Sequence, residues 1–258
     1  MIEWRVDEGV CELALGLPPC NEIGTEMLAR LEAFLAALDP KQVRAVVIHS
    51  TLRSGFCAGA DLRELYAGLI SRPAEAHEPE VRAYLDRIHR VMDRLDMLPL
   101  TTVGAIHGVC FGGGFELALT CDLLVADRSA RFGFPELRLG LIPGFGGIPR
   151  LKRDVGNAVV RDLLLTGRTI NAKKAATLGL VSQVVAPGEA LGVARAMARQ
   201  ATRFHPDAAD TAKAFIKHLP SEDLAREKEH FLRLFRSPVV AEALRRFVES
   251  KDLRPYLP

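Results

Sequence analysis

Two glutamates, Glu116 and Glu136, stand twenty residues apart, each beside a segment built for close backbone approach. Glu116 ends the run Gly112-Gly113-Gly114-Phe115-Glu116, and Glu136 follows Pro135. Glycines without side chains let a backbone come close to a ligand. The helix-prone run ELALTCDLL follows at once, so unpaired N–H donors and the positive end of a helix fall beside the first carboxylate. A second loop, Ala58-Gly59-Ala60-Asp61, precedes another helix-prone run, LRELYAGLI. Loops at the ends of neighbouring parallel strands can each aim one backbone N–H at a common point. Two such donors make an oxyanion hole, and losing one typically costs about 3 kcal/mol in the transition state. A semi-buried carboxylate has a raised pKa and carries a proton near neutral pH. Two of them can position a water and shuttle its protons, so the chemistry suggested is stabilisation of an oxyanion with proton transfer beside it.

Each feature also has a plainer reading. Both glycine clusters could be turns. A first-turn glutamate is commonly solvated and favoured by the helix dipole, although the neighbours of Glu116 (Gly114, Phe115, Leu117, Ala118, Leu119) argue against a solvated face. Glu136 could pair with Arg138 or cap a helix. His107, at the end of an apolar run, reads as packing. Cys57 and Cys110 flank the two loops and read as small apolar filler. The charged run Arg226–Arg233 has helical spacing and reads as a solvated face or a subunit contact. No Cys/His spacing resembles a zinc site, and GxGxxG is absent from any strand–turn–helix setting.

The elements that must position these groups are legible in outline. Residues 10–17 read as a strand closing on Pro18-Pro19. Met27, Leu28, Leu31, Leu35 and Leu38 fall at helical spacing, with Thr25 as the expected N-cap. AVVIHS (45–50) and TTVGAIHG (101–108) read as strands buried on both faces. TLRSGFCAGADL reads as a loop. Residues 80–98 form an amphipathic helix stopped by Pro99, and strands are expected at 122–127, 130–134 and 181–185. Helical periodicity covers 188–204, 206–218, 222–236 and 238–250. Strands alternate with helices without long linkers, which predicts an α/β domain with a helical layer that covers the core or exchanges with another subunit.

Composition narrows the classes. The 258 residues are 48% apolar, with a net charge of +2, which gives no reason to expect nucleic acid. Five cysteines have no framework spacing, and MIEWRVDEGV lacks the apolar stretch of a signal peptide, so the expectation is a reduced, cytoplasmic chain. The most apolar region, 98–126, is interrupted by His107, Glu116 and Asp122 and reads as core rather than a membrane span. No metal site is expected.

The strings SGFCAGADLREL, AIHGVCFGGGFELALTCDLLVAD and FGFPELRLGLIPGFGG together resemble the enoyl-CoA hydratase/isomerase (crotonase) superfamily, and its hydratases in particular. The resemblance is strongest at 45–147 and continues in LLLTGRTINAKKAATLGLVSQVV. It implies a crotonase-like spiral of repeated ββα units with a helical C-terminal region. The implied division is an α/β core at 1–195 and a trimerising region at 196–258, assembled as a homotrimer or homohexamer. The implied ligand is an acyl-CoA thioester, with coenzyme A as part of the substrate and no separate cofactor. By position, Ala60 and Gly113 would supply the two oxyanion N–H groups. Ala58, Asp61, Arg63 and Gly112 fall at substrate-binding positions, Arg63 as a partner for a CoA phosphate and Asp61 as a tie for its loop. Glu116 and Glu136 would hold and activate water, with Glu136 delivering a proton to Cα. The implied reaction is reversible addition of water to a 2,3-enoyl thioester. An enoyl-CoA isomerase, a dehydratase of a carrier-bound chain, or a non-catalytic acyl-CoA-binding subunit are the alternatives. The chain departs from the family pattern at 17–24, at Phe134 and at Ile148-Pro149, the last two predicting a more apolar pocket.

Overall fold

Ten short runs, mostly β-branched or apolar, pair as strands: β1 (Glu3–Asp7), β2 (Val10–Leu15), β3 (Ala45–Ser50), β4 (Gly55–Cys57), β5 (Thr101–Ile106), β6 (Val109–Phe111), β7 (Leu123–Asp127), β8 (Arg131–Gly133), β9 (Ile170–Asn171) and β10 (Gln183–Val185). The structure is a computed structural model that describes residues 1–71 and 73–250. Two sheets result, one ordered β1-β2-β3-β5-β7-β10 and one ordered β4-β6-β8-β9. Pairing is parallel except for β1 with β2 and β8 with β9. Successive strands from β3 to β8 alternate between the sheets, so each turn of chain adds one strand to each. All six residues of β3 are buried, as a parallel strand covered on both faces requires.

Helices complete the turns: α1 (Thr25–Ala37), α2 (Leu62–Ser71), α3 (Ala74–Asp96), α4 (Gly113–Ala118), α5 (Gly147–Val155), α6 (Asn157–Thr166), α7 (Ala172–Thr177), α8 (Ala190–Ala201), α9 (Pro206–Ile216), α10 (Ser221–Phe235) and α11 (Pro238–Glu249). This is the expected spiral of ββα units with a helical C-terminal region. The main core takes Leu13, Ile48, Phe56, Phe115 and Leu151 among its members. A smaller core lies where α8 packs on the first sheet through Ala190, Ala194 and Ala198, against Val47, Val103 and Val125. Alanines four residues apart let that helix lie close to the strands. Helix α10 packs on α3 and α5, and α11 on α2. The expected division after residue 195 falls within α8, and residues 251–258 of the expected second region lie outside the described residues.

Several local expectations need correction. Thr25 is not the N-cap of α1; Gly24 holds that position without a side-chain bond. The Thr25 N–H instead donates to Glu64 Oε2 at 2.8 Å and its hydroxyl donates to Glu64 Oε1. Helix α3 begins at Ala74 rather than 80, and residues 76–79 bury no apolar side chain that would register as periodicity. The stretch read as a loop contains β4, and β6 precedes the glycine triplet. Both strands have three residues, below the length at which alternation is visible. Among the described residues no helix is long and apolar enough to cross a membrane.

Candidate active site

Strands β4 and β6 are parallel neighbours, with Cys57 opposite Cys110, so the two loops that follow them leave the same edge side by side. After β4, Ile23 N–H donates to Gly59 O at 2.7 Å and Asp61 N–H donates to Ile23 O at 3.1 Å. Those bonds tie the residues on either side of Ala60 and leave its own N–H out. After β6, Gly112 adopts φ +50° and donates its N–H to Gly133 O at 3.0 Å. Gly113 then opens α4, where a first-turn N–H has no helical acceptor. A Cβ placed on Gly113 would lie 3.3 Å from Ala60 N, which puts the two N–H groups side by side. Among the described residues neither N–H is taken up by another group. Gly112 has a second reason to be glycine: a Cβ there would sit 2.6 Å from Glu136 Oε1.

Glu116 lies in the first turn of α4 and is 2% exposed. Its Oε1 accepts from Phe145 N–H at 2.8 Å and from Gly147 N–H at 2.7 Å. Burial pushes its pKa up to about 7, against the opposing pull of those two N–H bonds and of Arg150. Phe134, buried and stacked on Phe115 at 4.9 Å, lies behind this carboxylate. A Cβ on Gly147 would meet both Phe134 and Glu116 within 3 Å. The apolar residue at 134 thus helps to desolvate Glu116 and is not among the residues lining the pocket.

Glu136 opens a short 3-10 turn, Glu136–Leu139, after β8. It does not pair with Arg138, whose guanidinium donates to Gly167 O at 3.2 Å. Although the residue is only half-buried, its Oε2 is shielded from solvent and has no hydrogen-bond partner. Burial first, and the neighbouring Glu116 second, push its pKa well above the ordinary carboxylate value.

These groups face one small pocket of about 50 Å³, lined by Ala60, Gly113, Glu116, Glu136, Leu139 and Phe231 among others. Ala58 and Gly112 also line it. A larger cavity of about 660 Å³, with Ile23, Thr25, Glu64 and Tyr84 in its wall, shares Ala60, Phe145 and Phe231 with the small pocket. Asp61 lines the larger cavity, and its Oδ1 accepts from the N–H groups of Arg63 and Glu64, both at 3.0 Å, at the start of α2. Arg63 is not brought to either cavity: it is exposed, with its guanidinium 5.9 Å from the centre of the Phe247 ring. Cys57 and Cys110 are buried, and His107 Nε2–H donates to Leu52 O at 2.8 Å, so all three serve packing. Among the described residues no group of three His, Cys, Asp or Glu side chains could hold a metal ion.

One residue escaped the sequence reading. Glu227, within the charged run assigned to a solvated face or subunit contact, is 4% exposed. It accepts from Gly146 N–H at 2.7 Å and from Ile148 N–H at 2.8 Å. Its neighbours on the buried stripe of α10 are Leu224, Phe231 and Phe235. That helical spacing was the available signal that this one charge of the run points inward.

A fold of alternating two-sheet turns thus brings two strand-end N–H groups and two carboxyl groups, one buried and one half-buried, to one pocket. The family model described as "Enoyl-CoA hydratase/isomerase" matches residues 5–254, and the chain belongs to that family. It is 36% identical over 251 residues to probable enoyl-CoA hydratase 2, mitochondrial, of Arabidopsis thaliana, covering 95% of this chain and 81% of the relative. To a probable enoyl-CoA hydratase of Bacillus subtilis it is 33% identical, covering 97% and 96%. Among solved structures, human mitochondrial delta3-delta2-enoyl-CoA isomerase matches with a TM-score of 0.83 at 25% identity, covering 96% of each chain.

Proposed function

We propose that the protein is an enoyl-CoA hydratase, adding water reversibly across the 2,3-double bond of an acyl-CoA thioester. The observation that carries this reading is the pairing of a buried carboxylate, Glu116, and a half-buried one with a shielded, unpartnered oxygen, Glu136, on one pocket with the free N–H groups of Ala60 and Gly113. Glu116, its pKa raised to about 7, is available as the base, while Glu136, which burial and the neighbouring Glu116 push well above the ordinary carboxylate value, retains a proton to give. In the hydration direction the water oxygen bonds to C3 and its proton passes to Glu116. The electron pair of the double bond moves toward the thioester oxygen, where the Ala60 and Gly113 N–H groups hold the developing negative charge. Glu136 then delivers its proton to C2. The sum is one water added, with the proton moved from one glutamate to the other and restored by exchange. Coenzyme A enters as part of the substrate, and no separate cofactor takes part.

The likeness to an isomerase structure favours a second reading, movement of a double bond from the 3 to the 2 position. One carboxylate suffices to carry a proton between C4 and C2, so retention of both favours hydration. A panel of 2-enoyl-CoA and 3-enoyl-CoA thioesters separates the readings. Loss of the conjugated thioester absorbance with crotonyl-CoA supports the hydratase, and faster conversion of 3-enoyl-CoA than hydration of 2-enoyl-CoA overturns it. Assembly as a homotrimer or homohexamer belongs to the same proposal: α9 has no fully buried residue within its own chain and leaves Phe215 and Ile216 exposed. Five free thiols fit a reducing, cytoplasmic setting.

A further inference from the structure

Four consecutive backbone N–H groups in the turn entering α5 are dealt alternately to two carboxylates. Phe145 and Gly147 donate to Glu116, and Gly146 and Ile148 donate to Glu227. The carbonyls of the same turn are held as well. His89 Nε2–H donates to Gly144 O at 2.8 Å, and Arg150 Nη1 donates to Phe145 O at 3.0 Å and Gly146 O at 3.3 Å. Arg150 is fully buried and anchored to Asp96 at 2.9 Å and Asp93 at 2.5 Å. Glu227 is not among the residues lining the small pocket or the larger cavity. Its bonded route to the reacting groups therefore runs through the turn, beside the direct like-charge repulsion between its carboxyl group and that of Glu116.

We propose that Glu227 is a positioning residue, which holds the Gly144–Ile148 turn so that the turn in its place holds the Glu116 carboxylate against the pocket. The claim rests on the reading of Glu116 as the base. A buried carboxylate that spans two alternate N–H groups constrains the backbone between them more than a single acceptor does; the one intervening N–H, that of Gly147, binds Glu116, and the other N–H that binds Glu116, that of Phe145, directly precedes the span. The charged and titratable groups facing Glu227 and the turn are Glu116 on α4, Arg150 on α5, and His89 and Asp93 on α3, with Glu136 beyond Glu116.

In Glu227→Gln one oxygen becomes an amide NH2, which cannot accept, so either Gly146 or Ile148 loses its partner. Glu227→Asp keeps both acceptors on a shorter stem. Amide hydrogen exchange at Phe145 and Gly147 is expected to quicken by about tenfold or more in Glu227→Gln as the turn opens locally. The accompanying kcat is expected to fall about 10- to 100-fold, with KM within about twofold of the wild type. Partial recovery of exchange protection and kcat in Glu227→Asp completes the expected pattern. Quickened exchange confined to Gly146 and Ile148 overturns the claim. So does activity lost only in proportion to folded protein. A wild-type enzyme that adds no water to any enoyl-CoA retires the hydratase reading, while exchange at Phe145 and Gly147 still decides whether Glu227 positions Glu116.

Discussion

For single residues, the proposed hydration needs different protonation states in the two carboxyl groups of one pocket. Glu136→Gln keeps the size of the side chain and removes the transferable proton, so kcat with a 2-enoyl-CoA is expected to drop by about 100-fold or more. A near-normal rate would remove Glu136 from the proton transfer. Burial also makes Glu116 a source of pH-dependent stability. Its folded pKa of about 7 lies above its ordinary value of 4.5, so the folded state holds this proton more tightly than the unfolded chain. The resulting contribution is complete below about 4.5 and is lost as pH rises through about 7. Scanning calorimetry from pH 5 to 8 should therefore show a falling Tm in the wild type. The fall should be shallower in Glu116→Gln, whose side-chain oxygen can still accept from Phe145 and Gly147. Both glutamates were legible in the sequence because each stands next to glycine or proline in an apolar stretch. Glu227 was not, because its neighbours in sequence are charged and only its helical phase marks it as buried.

At the scale of elements, the site depends on two three-residue strands, β4 and β6, that bring the Ala60 and Gly113 loops together. The longer strands β3 and β5 were apparent from unbroken β-rich composition, whereas β4 and β6 are too short to show a period and are held by pairing with distant residues. Their loops were nonetheless found, because the glycines that allow close approach are a local signal. The turn at Gly112 is a point where this arrangement touches a carboxyl group of the site. Alanine there would have to adopt φ +50° and would meet Glu136 Oε1 at 2.6 Å. Gly112→Ala is expected to cost about 1–2 kcal/mol from the backbone conformation alone. Equilibrium denaturation measures that cost, and kcat should fall further than the loss of folded protein explains, because Glu136 is displaced. Unchanged activity per folded molecule would show that the contact between Gly112 and Glu136 does not matter for turnover.

For the whole molecule, the alternation of strands between two sheets was implied by the resemblance and is present in the structure, with the C-terminal helices packed back on the core. What sequence periodicity does not reveal is which helical faces are left for another subunit. Helix α9 reads as an ordinary amphipathic helix yet has no fully buried residue within its own chain. Light scattering after size-exclusion chromatography is expected to give a mass of three or six chains of 28.2 kDa. Charge substitutions at the exposed Phe215 and Ile216 are expected to weaken the assembly, and a monomer at micromolar concentration would contradict the proposed trimer or hexamer.

The central claim is that this pocket adds water to a conjugated thioester. It is tested most directly by incubating the protein with crotonyl-CoA in H2¹⁸O and analysing the product by mass spectrometry. The account predicts a 3-hydroxyacyl-CoA carrying one ¹⁸O atom at C3, formed by the wild type and strongly diminished in Glu136→Gln. Consumption of the substrate to an unlabelled product with a shifted double bond, or no turnover by the folded protein, would contradict it.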